Sequence, residues 1–83
     1  MKWTGYADIL ADLGAVARER REAQELTQEE ASHRAGLSVR HYAKFEQGRT
    51  NATIETAFRV ATVLELDFDE LVSLAARRRG RKR

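Results

Sequence analysis

Arg40, Lys44 and Gln47 lie four and then three residues apart in the stretch VRHYAKFEQ, with Val39 and Ala43 beside them. On an α-helix this spacing gathers two cations and an amide onto one face, while Tyr42 and Phe45 share another. The first face offers positive charge and hydrogen-bond donors to an anionic surface rich in acceptors. The second is apolar and suited to burial. Other reactive groupings are weak. His33 and His41 are eight residues apart on separate helical patterns, there is no Cys, and the neighbouring Glu29 and Glu30 point along different helix faces. Neither a metal shell nor an acid–base pair is evident, so no catalysis, metal or cofactor is expected.

The elements that must position these residues can be read from capping and periodicity. Tyr6, Ile9, Leu10, Leu13, Val16 and Ala17 recur at helical spacing, predicting a first helix that ends near Gln24. Thr27 and Glu30 have capping-box spacing, so a second helix is expected over 28–35, stopped by Gly36 in the left-handed conformation. Ser38 is placed to cap a third over 39–47, stopped by Gly48. Thr53 can cap a fourth through Leu64, and Asp67 with Glu70 a fifth that includes Leu71, Val72 and Leu74. The sequence thus predicts an all-α, five-helix domain without strands. Only about three residues separate the second and third helices. So short a link makes them cross steeply, as in a helix-turn-helix. With one side of the third helix held by the core, its other side can enter a groove the size of the DNA major groove.

With 83 residues and 42% hydrophobic content, the chain has material for one small core. The thin stability margin of such a chain favours dimerisation. The absence of Cys suits a reducing interior. The start MKWTGYADIL lacks both the basic start and the long apolar stretch of a signal peptide, and no apolar stretch long enough to span a bilayer follows. The expectation is a cytoplasmic protein without membrane contact. Residues 77–83, RRRGRKR, hold six of the fifteen Lys and Arg, leaving nine cations against thirteen anions elsewhere, a net of −4. The domain is expected to span 1–76, followed by a basic, solvated and disordered tail at 77–83. That tail would serve solubility or add nonspecific affinity for a polyanion.

From about residue 13 to 71 the chain resembles the phage repressor and Cro type of helix-turn-helix regulator, the XRE family. The likeness rests on LGAVARERR, LTQEEASHRAGLS, YAKFEQGRTN and TIETAFRVATVLEL at matching separations. It implies that Gln28 holds a phosphate and braces the third, recognition helix. Ser38, Val39, Arg40 and Lys44 would face base edges, with His41 counted on the same face. Gln47, Arg49, Thr50 and Asn51 would grip the backbone of double-stranded DNA. It also implies an ion pair between Arg21 and Glu46 beneath the recognition helix. Five positions depart from the family pattern: Ala31 and Ala57 replace Leu, Ser32 replaces Ala, Ala52 replaces Pro, and Glu65 replaces a helix-ending Gly. Tyr42, Phe45 and Phe58 are expected to refill the lost core volume.

The expected function is a sequence-specific transcriptional regulator, a repressor or autoregulator, that binds a palindromic operator as a homodimer. Trp3, Tyr6 and the apolar residues near the carboxyl end exceed the needs of a small core, and Phe68, Leu71 and Leu74 are the expected dimer surface. With no sensor domain in the chain, control is expected to come from concentration, an operator array or a partner protein. Two further readings use the same module: an antitoxin paired with a toxin, or the controller of a restriction–modification system. A third is a protein-interaction module without specific DNA binding.

Overall fold

The computed structural model describes residues 3–81, and they fold as five helices: α1 (Tyr6–Ala23), α2 (Gln28–Ala35), α3 (Val39–Glu46), α4 (Ile54–Val63) and α5 (Phe68–Arg81). The starts are set by the expected caps. Thr27 Oγ1 accepts from the Glu30 amide at 3.0 Å, and Glu30 Oε1 from the Thr27 amide at 2.8 Å. Ser38 and Thr53 accept from the amides of His41 and Thr56. At Asp67 the reach-back half of the box forms, Glu70 Oε1 accepting from its amide at 2.8 Å.

The first four helices all end in the same way. After α2, the Gly36 amide bonds to the His33 carbonyl and the Leu37 amide to that of Ser32, with Gly36 at φ 72°. This paired arrangement satisfies two carbonyls that a helix end leaves open. It recurs after α1 and α4, where Glu25 and Glu65, both at φ 59°, occupy the left-handed position. Glu65 therefore adopts the conformation usual for glycine there, at the cost of side-chain crowding. The Leu64 carbonyl is also bonded from α1, by Arg20 Nε at 3.2 Å and Gln24 Nε2 at 2.9 Å.

Leu13, Val16 and Ala17 of α1 meet Ala31, Tyr42, Phe45, Val60, Leu64 and Leu71 in one core. The two small replacements, Ala31 and Ala57, are buried, and the aromatic rings of Tyr42 and Phe45 are enclosed beside them. Phe58 does not refill the core as expected, being 58% exposed on the outer side of α4. Tyr6 is also surface-exposed and donates its hydroxyl to the Ala52 carbonyl at 2.8 Å. α1 crosses α3 at Gly14, where a Cβ would run into the carbonyl oxygens of Phe45 and Glu46. Only glycine lets the two backbones come so close.

The carboxyl end differs from the expected solvated arm. α5 continues through 77–81 because α1 supplies carboxylates for its arginines. Arg79 Nε donates to Asp12 Oδ2 at 2.7 Å, and Arg78 Nη1 to Glu19 Oε2 at 3.2 Å. Residues 82 and 83 of that arm lie outside the described residues.

Candidate nucleic-acid interface

The link of Gly36, Leu37 and Ser38 joins α2 to α3, and the two helices pack directly on one another. On α3, Tyr42, Phe45 and Glu46 point inward and are buried, while Ser38, Val39, Arg40, Lys44 and Gln47 are exposed. His41 and Ala43 lie half-buried between the two sides. The loop after α3 carries exposed Arg49 and Asn51, with Thr50 half-buried between them.

Beneath α3 the Glu46 carboxylate gathers three elements. Arg21 of α1 donates from Nε to Oε2 at 2.6 Å and from Nη2 to Oε1 at 3.1 Å, a bidentate pair with both side chains nearly enclosed. Gln28, at the start of α2, donates from Nε2 to Oε1 at 2.9 Å. Burial alone would raise the Glu46 pKa, but the hydrogen bonds from Arg21 and Gln28 and the Arg21 charge outweigh it and hold the carboxyl below its ordinary range. The Arg21 guanidinium is raised in turn, chiefly by its hydrogen bonds to Glu46. Burial, followed by the neighbouring Glu46 carboxylate, pushes the Tyr42 phenol up, and its hydroxyl makes no well-formed hydrogen bond. A cleft opens at this junction, lined by Arg18, Arg21, Thr27, Gln28, Glu29, Val39, Glu46 and Gln47.

The cations fall into two groups. Arg18, Arg59, Arg78 and Arg79, like Arg21, are paired with carboxylates of the chain, and Arg20 is bonded to the Leu64 carbonyl. Among the described residues, Arg40, Lys44 and Arg49 have no carboxylate within ion-pair distance, a property they share with Arg20, Arg34 and Arg77. Three of these six lie on α3 or the loop after it.

A family model described as helix-turn-helix matches residues 18–71. The chain belongs to this family of transcriptional regulators. An uncharacterized helix-turn-helix-type transcriptional regulator, y4dJ of Sinorhizobium fredii, is 42% identical over 57 residues, covering 69% of this chain and 73% of the relative. The restriction–modification controller protein C.AhdI of Aeromonas hydrophila superimposes with a TM-score of 0.71 at 31% identity, covering 75% of this chain and 94% of the controller. The clp gene regulator ClgR of Corynebacterium glutamicum shares the fold, with a TM-score of 0.82 at 22% identity over 87% of this chain and 77% of its own.

In this helix-turn-helix chain, Gln28 is tied to the recognition helix through its hydrogen bond to Glu46. The expected dimer residues do not lie together. Leu71 is fully buried inside the domain and cannot form a surface. Phe68 lines a groove with Ile54, whereas Leu74 lies over Val16, Glu19, Arg20 and Ala23 of α1. Sequence reasoning also missed Asp12. Its 1% exposure depends on Trp3 and two arginines 66 and 67 positions away in the sequence, a separation that no local pattern reports.

Proposed function

We propose that this chain is a sequence-specific DNA-binding regulator, a repressor or autoregulator of the cytoplasm, that binds a palindromic operator as a homodimer with α3 in the major groove. The observation that carries the reading is the division of α3. Its inner side is held by the core and by the Arg21–Glu46–Gln28 network, while Arg40 and Lys44 project outward unpaired among the described residues. Arg40 can donate two hydrogen bonds to guanine O6 and N7, Lys44 can reach a second guanine, and Val39 can pack on a thymine methyl. Ser38 and His41 extend the same base-facing edge. Gln28, Gln47, Arg49, Thr50 and Asn51 serve the phosphates, which fix position without reading sequence. The domain measures 33 × 23 × 19 Å, so two copies side by side can set their recognition helices about 34 Å apart, one helical turn of DNA.

Selection of bound fragments from random DNA supplies the operator and its half-site spacing. That duplex and a shuffled one are then titrated at fixed salt. Arg40→Ala and Lys44→Ala are expected to cost about 1–3 kcal/mol on the operator and much less on shuffled DNA. Arg49→Ala is expected to weaken both equally and lower the salt slope by about 1. Equal losses on both duplexes for Arg40→Ala and Lys44→Ala, or no loss, would overturn base reading by these residues.

The likeness to C.AhdI, which spans nearly all of that protein, favours a second and narrower reading, the controller of a restriction–modification system. A methyltransferase gene next to the coding sequence, with the selected operator lying upstream of it, would support that reading over a general repressor.

A further inference from the structure

The outer side of α4 carries two large apolar side chains one turn apart, Ile54 at 76% and Phe58 at 58% exposure. Exposed apolar groups that adjoin one another form a contiguous patch, and such patches mark interaction sites where singly scattered ones do not. Each is followed by a charge, Glu55 and Arg59, which pair along the helix at 2.8 Å. We infer that this stripe is the face on which a second copy of the chain docks, α4 against α4 in antiparallel fashion about a two-fold axis. The inference rests on the homodimer reading above and names the surface it uses.

The order of the residues identifies the occupant. The motif Ile54-Glu55 followed by Phe58-Arg59 is self-complementary when reversed. An antiparallel copy brings Phe58 against Ile54, and Glu55 toward the Arg59 of the second copy, twice over. That reciprocity is what a two-fold interface requires, and an unrelated partner would have no need of it. The composition is also that of an interface centre, with aromatic and aliphatic anchors at the middle and charges at the rim. In sequence the stripe follows the loop bearing Arg49 and Asn51, and in space its Phe58 end borders Arg34, Ala35 and Gly36 at the end of α2. Phe68 and Tyr6 extend the apolar surface around Ile54.

The test is sedimentation equilibrium of the full chain over a concentration series, with far-UV circular dichroism to confirm folding. Phe58→Glu, at an exposed helical site, is expected to keep its helix content and weaken self-association roughly tenfold or more. Glu55→Arg leaves both rim positions cationic and Arg59→Glu leaves both anionic, so each chain alone should associate poorly. An equimolar mixture of the two should recover a heterodimer. Mixing cannot restore the pair within a helix, so recovery reports contact between copies. The inference is overturned if wild type stays monomeric both free and on a two-site operator. It is equally overturned if Phe58→Glu associates like wild type, or if mixing the charge variants restores nothing. A duplex bearing a single half-site separates this from the DNA reading. Phe58→Glu binding it like wild type while losing cooperativity on two sites supports the α4 face. Loss of Arg40-dependent selectivity with the α4 result intact counts against base reading alone.

Discussion

Arg79 near the end of α5 donates Nε to the buried Asp12 carboxylate of α1 at 2.7 Å, and Trp3 Nε1 donates to the same oxygen at 2.9 Å. The other oxygen faces Arg78 Nε at 3.3 Å without completing a hydrogen bond. One carboxylate thus ties the aromatic residue ahead of α1 and the basic end of α5 to the same spot. A sequence with six cations in its last seven residues repels itself as a helix unless counter-charge is supplied. Asp12, Asp8 and Glu19 supply it.

Asp12→Ala removes that counter-charge but leaves the arginines able to reach water, since their side chains are 22–27% exposed. The expected loss is about 2–3 kcal/mol of unfolding free energy, the scale of charged hydrogen bonds. Urea titration should record it, together with faster amide exchange at 77–80. Unchanged exchange there would mean that α5 holds its end without Asp12.

Glu46→Ala strips the partner from Arg21, whose side chain is only 11% exposed, and from the Gln28 amide. Breaking a buried pair on one side is expected to cost about 3–5 kcal/mol, enough to endanger so small a domain. The double change Arg21→Met with Glu46→Leu should recover much of the loss in chemical denaturation, because an apolar pair leaves no stranded charge.

Stability should fall in acid partly through Glu46. Its folded pKa lies below the ordinary 4.5. The contribution is therefore fully present above the unfolded value and is lost as pH drops through the folded one. Urea midpoints for wild type and Glu46→Gln, taken from about pH 7 down to pH 3, should show a shallower acid decline in the variant. Parallel profiles would exclude Glu46 as a source of the decline.

Gly14→Ala places a methyl against the carbonyls of Phe45 and Glu46, so α1 and α3 must separate. Overpacking of this kind is expected to cost about 1–3 kcal/mol, read from the thermal midpoint. Because the recognition helix is what moves, operator selectivity should decline as well.

Glu65→Gly is expected to stabilise the chain by up to about 1 kcal/mol, since glycine relieves the crowding at φ 59° but has more freedom to lose on folding. Glu25→Gly, at the same position after α1, is expected to act in the same direction. A thermal denaturation series of the two single variants and the double variant would measure both effects and their additivity.

Much of the molecule was legible in the residue order because its punctuation is local. Thr27, Ser38 and Thr53 bond to amides three residues on, and Gly36 closes a turn within its own helix end, so helix starts and stops needed no knowledge of the rest of the chain. The inward side of α3 was equally legible, since Tyr42 and Phe45 share one face at helical spacing. The tertiary structure decided what lies over each remaining face. Phe58 is exposed and Leu71 enclosed although both are apolar residues on amphipathic helices, because burial depends on which neighbour crosses there. The same holds for the basic end of the chain. Whether its arginines extend into water or continue a helix depends on carboxylates more than fifty residues away in sequence, and only the packing of α1 on α5 brings the two together.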